Sequence, residues 1–427
     1  MPSLSKDELL ELDSRIDRLI SGIEFLKIER DIAIVHLLRI YEDYNRINLH
    51  KGQLNKVQIL PMLKNGEDSI NVVMNWVYKH CPHNDIRVDL DTNRKIYEQG
   101  VELLEKGVDY SKIWDFMTLL FQERMIAIYQ DKKRNRIKII YPLTYNSDMD
   151  VASNILGAPD SPDIKIDIEN AEIIRFIKEK IPYSHCIISR IIYDISNVDI
   201  DKFNFIREKQ FQKIKYLWEL DETWNLGGYT IGDFRKFWLT LNTLVTINYV
   251  LCTFTGVNGL ALNSIIMIKK VDSWINIISK YSYLSKDIIL RIINDLTYDV
   301  SLYGAKKKDP HVIYQPFFKL NNDLFALSNW LIFLSNAERN LWDLLSIVKP
   351  ELHSKLRNEK EKLWIREIER KFKTDYQLEV LGPLNFEFHG AKSDLDVLVV
   401  DKELKFGLGL QLKWLTNPDR IKEVKST

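Results

Sequence analysis

From Phe237 to Ile268 the chain carries no charged side chain. An uncharged stretch of that length leaves two options, a membrane span or a segment enclosed by a folded core. Its polar content decides between them. Thr240, Asn242, Thr243, Thr246, Asn248, Thr253, Thr255, Asn258 and Asn263 interrupt the apolar residues, and Gly256 and Gly259 mark a break. The stretch reads as two buried helices of a soluble core, with Thr230-Ile231-Gly232-Asp233 capping the first. No membrane partner is expected.

The rest of the chain must supply the enclosure. With 427 residues and 45% hydrophobic content, it can form two or three domains with cores of their own. Lys and Arg together number 60, as do Asp and Glu, so no whole-molecule field draws in nucleic acid, and any such contact needs a local basic patch. The start, Met1-Pro2-Ser3-Leu4-Ser5-Lys6, has no apolar signal segment, and the protein is expected to stay in the cytoplasm. Cys81, Cys186 and Cys252 are odd in number and far apart, which fits reduced thiols. His80-Cys81-Pro82-His83 is the one local cluster of soft metal ligands; without a second pair it reads as an ordinary loop.

Residues 1–50 open with a capping box, Ser5 to Glu8, followed by apolar residues at helical spacing: Leu9, Leu12, Ile16, Leu19, Ile23, then Ile32, Val35 and Leu38. A long amphipathic helix or a helical hairpin is expected. Its stripe can pack on the body of the chain or form a homo-oligomer with a second copy. Residues 51–350 follow helical patterns, apart from a β-hairpin over 125–141. That hairpin, with Lys132, Lys133, Arg134, Arg136 and Lys138, carries the densest basic run, either a solvated tip or a phosphate-contacting wing. Ser335-Asn336-Ala337-Glu338 reads as a second capping box, for a helix that Pro350 ends. There the chain turns from apolar to strongly charged, and a domain boundary is expected near residue 350.

Residues 351–427 carry the chemistry. Glu361, Trp364, Ile365, Ile368 and Phe372 give a helix one apolar face, and Tyr376, Leu378 and Val380 form a strand ending at Gly382-Pro383. Next come Ser393 to Asp401 and Gly407 to Trp414, two strands joined by a short turn. A turn centred between Glu403 and Leu404 sets Asp396 opposite Gln411, and sets Leu398 and Val400 opposite Gly409 and Gly407. Strand alternation then adds Lys413 and Asp394 to the face of Asp396.

Asp396 followed by Gln411-Leu412-Lys413 resembles the PD-(D/E)XK nuclease signature in its D…QxK form. The resemblance covers about the last 75 residues. It implies a mostly helical N-terminal region followed by an α/β restriction-endonuclease-like domain with an α-β-β-β core. It also implies that the intact version of such a domain hydrolyses DNA with Mg²⁺, or Mn²⁺, held by Asp396 and the amide oxygen of Gln411, with Lys413 beside the attacking water. The superfamily's first helix often adds a glutamate; Glu369 is the first candidate and Glu361 the second. After Asn417-Pro418 a helix begins and the chain stops at Thr427, so the nuclease-like domain is expected to be C-terminally incomplete. A non-catalytic interaction or scaffold protein with an inert hairpin is the alternative.

Overall fold

A computed structural model describes residues 4–50, 69–84, 93–121, 125–131, 136–140, 171–185, 191–254, 265–302, 311–375, 378–382, 384–388, 391–403 and 405–410. The chain divides into two compact units: Met1–Ser147 with Pro162–Asn340, and Asp148–Ser161 with Leu341–Thr427. The first is mainly helical, with small antiparallel sheets: β1 (Ile126–Asp131) with β2 (Arg136–Ile140), β3 (Ser184–His185) with β4 (Ile191–Ile192), and β5 (Met267–Lys270) and β6 (Phe317–Lys319) on either side of β7 (Leu324–Leu327). The second joins a long helix to an antiparallel meander.

In the larger unit the helix Ile231–Phe254 packs against five others, Ala171–Lys180, Ile200–Ile214, Val271–Ser282, Lys286–Asp295 and Asn329–Phe333. A reciprocal box starts it: Thr230 Oγ1 accepts the Asp233 N–H at 3.1 Å, and the Asp233 carboxylate accepts the Thr230 N–H at 3.0 Å. By length and composition this helix could cross a membrane, yet nearly all of it from Phe237 to Cys252 is buried inside the protein. Three of its hydroxyls are satisfied along the helix, with Thr240, Thr243 and Thr246 each donating to the carbonyl four residues back at 2.8 Å, whereas the buried Thr253 Oγ1 has no partner among the described residues. Asn248 works across elements. Its amide donates to the Ile265 carbonyl at 3.1 Å and to Asn329 Oδ1 at 3.3 Å, and its oxygen accepts the Tyr193 hydroxyl at 2.5 Å.

The end of the uncharged stretch differs from the expected second helix. Met267–Lys270 is strand β5, paired antiparallel with β7, Leu324–Leu327, which also pairs β6, Phe317–Lys319. A short apolar run suits a buried strand as well as a helix; here β7 offers the backbone partners. Residues 255–264 lie outside the described residues.

At the N-terminus the capping box forms, with Ser5 Oγ accepting the Glu8 N–H and Glu8 accepting the Ser5 N–H. The helix Lys6–Ser21 stops at Gly22, and after a short 3-10 turn a second helix runs over Arg30–His50. The apolar stripe of the first helix is covered within the chain at its N-terminal end, while Leu19 is 71% exposed. Leu9 packs with Met117, Leu120, Met125 and Ala127, joined by Leu4, Leu12, Ile137 and Ile139. Several of these come from the expected hairpin, β1 (Ile126–Asp131) and β2 (Arg136–Ile140); its tip residues 132–135 lie outside the described residues.

The capping box expected at Ser335 does not form. Glu338 is drawn into the interior instead, where Arg235 Nε donates to it at 2.5 Å and the backbone N–H groups of Glu219 and Leu220 donate at 2.7 and 2.9 Å. A charge-assisted cluster in a dry setting outweighs one reciprocal cap. It also ties the first turn of the helix Ala337–Val348 to the larger unit, so the division falls at Leu341 and not near 350.

Glu42, on the Arg30–His50 helix, is fully buried. It accepts the Ser328 hydroxyl at 2.6 Å and the Trp330 N–H at 3.1 Å, but no cation is among these partners. Burial pushes its carboxyl up to about 7 from an ordinary 4.5, against the pull of those hydrogen bonds. A folded-state value above the unfolded one means that the neutral acid's contribution is complete below about pH 4.5 and is lost as pH rises through 7. The difference is worth about 3 kcal/mol. Glu42→Gln should therefore flatten the pH dependence of urea unfolding and stabilise the protein at pH 8 relative to wild type. Parallel stability curves for the two proteins from pH 5 to 8 would contradict this. Asn248→Leu, which strips partners from Tyr193, Ile265 and Asn329, should cost about 2–4 kcal/mol in the same measurement.

Candidate functional site

The C-terminal unit is built on a 26-residue helix, Pro350–Asp375. The preceding helix ends at Val348, just before Pro350, as expected, and Pro350 then occupies the first position of the next one, where its missing N–H costs nothing. Ile365, Ile368 and Phe372, three of the apolar residues expected on one face, pack on Val380, Val397 and Val399, with Leu378 and Leu410 at the margin.

That core fixes a sheet in the order β12-β11-β8: Phe406–Leu410, Val397–Asp401 and Glu379–Leu381. The β11–β12 register is the one derived from the sequence, with Leu398 opposite Gly409 and Val400 opposite Gly407. The glycines make the expected room. Positions for a Cβ on Gly407 and Gly409 lie 3.6 Å from Leu398 and 3.0 Å from Leu395. In the turn, Asp401 accepts the Glu403 N–H at 2.9 Å, and Lys405 takes a left-handed φ of 52°.

The long strand expected from Ser393 to Asp401 is broken at Asp396. Before the break, β10 (Ala391–Leu395) pairs with a strand the sequence reading left out, β9 (Leu384–Phe388); after it, β11 pairs with β8. Both ladders keep one register: Leu395 faces Leu384, and three residues on, Leu398 faces Leu381. The gap on the partner strand spans Gly382-Pro383, and proline has no N–H to give a ladder. Alternation slips here too. Leu395 reaches over Gly409, the face that Leu398 uses, while Val397 faces the helix. The face of Asp396 is thus set by the bend and not by the period of two.

Asp396 is half-buried at this break. Its backbone is held close by Gly382, because a Cβ built there would collide with the Asp396 carbonyl oxygen. Glu369 is half-buried one position along from the core residue Ile368. Glu361 is half-buried and engaged by Arg357 Nε at 3.0 Å, an i,i+4 helix-surface pair. Gln411 and Lys413 lie outside the described residues, as does the expected helix after Asn417.

Among the described residues, the three metal-capable side chains that come together are elsewhere. Glu29, Asp31 and His83 each offer a ligand atom within 4.8 Å of the others. The sequence reading considered His83 only within His80-Cys81-Pro82-His83. Burial pushes the Cys81 thiol up to about 12, so the free thiol stays protonated. The acidic partners come from the start of the Arg30–His50 helix, more than fifty residues away. The local signal was the pair of acids in Glu29-Arg30-Asp31; tertiary packing supplied the histidine. Comparison with protein-family models, with curated proteins and with solved structures gives no match.

Gly382→Ala should loosen the meander around Asp396, because the clash is with backbone and the φ of 159° is itself unfavourable for a side chain. Hydrogen exchange should rise across residues 379–401 and stay unchanged in the Ile231–Phe254 helix. Wild-type protection in both regions would refute the close approach.

Proposed function

We propose that the protein is a divalent-metal-dependent DNA nuclease whose C-terminal region is of the restriction-endonuclease-like α-β-β-β type. The observation that carries the reading is a covering helix followed by an antiparallel meander in which Asp396 interrupts the strand. Continuing the β11–β12 ladder by one pair beyond Val397 and Leu410 would set Gln411 against Asp396.

The donor chemistry fits Mg²⁺ or Mn²⁺: a half-buried carboxylate on Asp396, an amide oxygen on Gln411, and a further carboxylate on Glu369. A bound dication would acidify water and offset charge on a phosphodiester. Asp396 supplies the negative charge that makes such binding favourable. Gln411 contributes an oxygen without charge, which weakens affinity relative to a second acid. The Lys413 ammonium orients the attacking water and stabilises the negative charge that develops on the phosphate. Equal numbers of acidic and basic residues leave DNA binding to local contacts, not to a global field. The burial of the Ile231–Phe254 helix supports a core helix in place of a membrane span.

The test is cleavage of supercoiled plasmid and of single-stranded DNA by the purified chain, with Mg²⁺ or Mn²⁺ and with chelator. Metal-dependent cleavage by wild type is expected, with Asp396→Ala and Lys413→Ala slower by roughly a hundred- to a thousandfold. Circular dichroism should show both variants folded. Equal nicking by wild type and variants, or no cleavage of either substrate in either metal, would overturn the proposal.

A further inference from the structure

The larger unit carries a second constellation that the nuclease reading does not use. Three separate segments meet at it. Glu29 and Asp31 lie at the start of the Arg30–His50 helix, His83 and Asn84 follow the helix over 69–80, and Asn321 sits in the turn between β6 and β7. Backbone N–H groups fix the carboxylates. Asp31 accepts from Asn321 at 2.6 Å; Glu29 accepts from Asp31 at 2.6 Å on one oxygen and from Asn84 at 3.3 Å on the other. The Asn321 amide closes the ring by donating to the Asn84 carbonyl at 2.8 Å.

Two features go beyond a capped helix end. Asp31 is 1% exposed, and its Oδ1 has no hydrogen-bond partner among the described residues. A buried carboxylate oxygen without a donor is costly. His83 Nδ1 stands 3.7 Å from Glu29 Oε1, too far for a hydrogen bond. Two ligands on a tetrahedral ion with bonds of about 2.0 Å are separated by about 3.3 Å, so a small inward shift would let one ion bridge them.

We propose that Glu29, Asp31 and His83 bind one transition-metal dication of the Zn²⁺ class. Two carboxylates and a neutral imidazole carry a net charge of minus two, which a dication neutralises. The imidazole nitrogen selects Zn²⁺ over Mg²⁺ and Ca²⁺, which prefer all-oxygen sites. Arg30, whose guanidinium lies 5.1 Å from the Tyr78 ring centroid, is the neighbouring cation that bound metal must tolerate. His83 is partly exposed and leaves a side open for a water ligand. Because the site ties three segments together, its role is to staple the larger unit, independently of Asp396.

The experiment uses the full chain stripped with chelator and then dialysed against Zn²⁺, with bound metal counted by mass spectrometry and unfolding followed by heating. Wild type and Asp396→Ala should each retain a tight Zn²⁺ ion that raises the melting temperature and resists excess Mg²⁺ and Ca²⁺. Asp31→Asn and His83→Gln should lose that ion, with affinity reduced by at least about a hundredfold, beyond the usual effect of losing an outer partner. His83 is exposed enough for its replacement to leave the fold intact, so it decides the matter if Asp31→Asn fails to fold. No tight Zn²⁺ in wild type, or the same retention and melting temperature in His83→Gln, would overturn the proposal.

Discussion

A helix whose residues from Phe237 to Cys252 are nearly all buried has little water to complete its polar groups, and that constraint governs the larger unit. Along Ile231–Phe254 three threonines turn inward on their own backbone, which removes three hydroxyls from the problem without any neighbour. Asn248 cannot do so, since an amide needs donors and acceptors at several angles. Its partners, Tyr193, Ile265 and Asn329, come from three different places in the chain. From Asn329 the polar contacts continue: its amide also donates to Ile265, and neighbouring Ser328 and Trp330 donate to Glu42. The core is therefore specified by a connected polar network as well as by apolar volume.

Interior charge is handled in two ways. Arg235 and Glu338 are paired, and each also bonds to the backbone near Leu220, so both carboxylate oxygens and two guanidinium nitrogens have partners. Glu42 bonds to the neutral Ser328 hydroxyl and the Trp330 N–H, and its answer to burial is to hold its proton to higher pH. The first arrangement fixes a junction between distant segments. The second leaves a titratable group near neutrality inside a packed core.

The two candidate sites have different physical origins. Asp396 is singled out by an interruption of backbone pairing, where the meander bends and alternation slips while the register holds. Glu29, Asp31 and His83 are singled out by backbone donors that fix the carboxylates and, among the described residues, leave Asp31 Oδ1 without a partner. A broken ladder exposes a functional group on an otherwise regular sheet. A pinned and under-satisfied carboxylate concentrates negative charge where segments converge.

Local chemistry was written in the sequence. The Ser5 and Thr230 boxes, the β1–β2 hairpin, the apolar face Ile365, Ile368 and Phe372, and the register of Leu398 and Val400 against glycines all follow from neighbours within a few residues. Each depends on backbone donors close by or on a repeat of two or 3.6 residues. Wherever a distant segment competed, the sequence alone was insufficient. Glu338 left its expected cap for Arg235, Met267–Lys270 became a strand because β7 lay beside it, and Leu395 crossed to the face of Gly409 at the bend. The meeting of His83 with Glu29 and Asp31 was likewise decided by tertiary packing. Short-range pattern sets which hydrogen bonds are available, and burial decides which of them must be made.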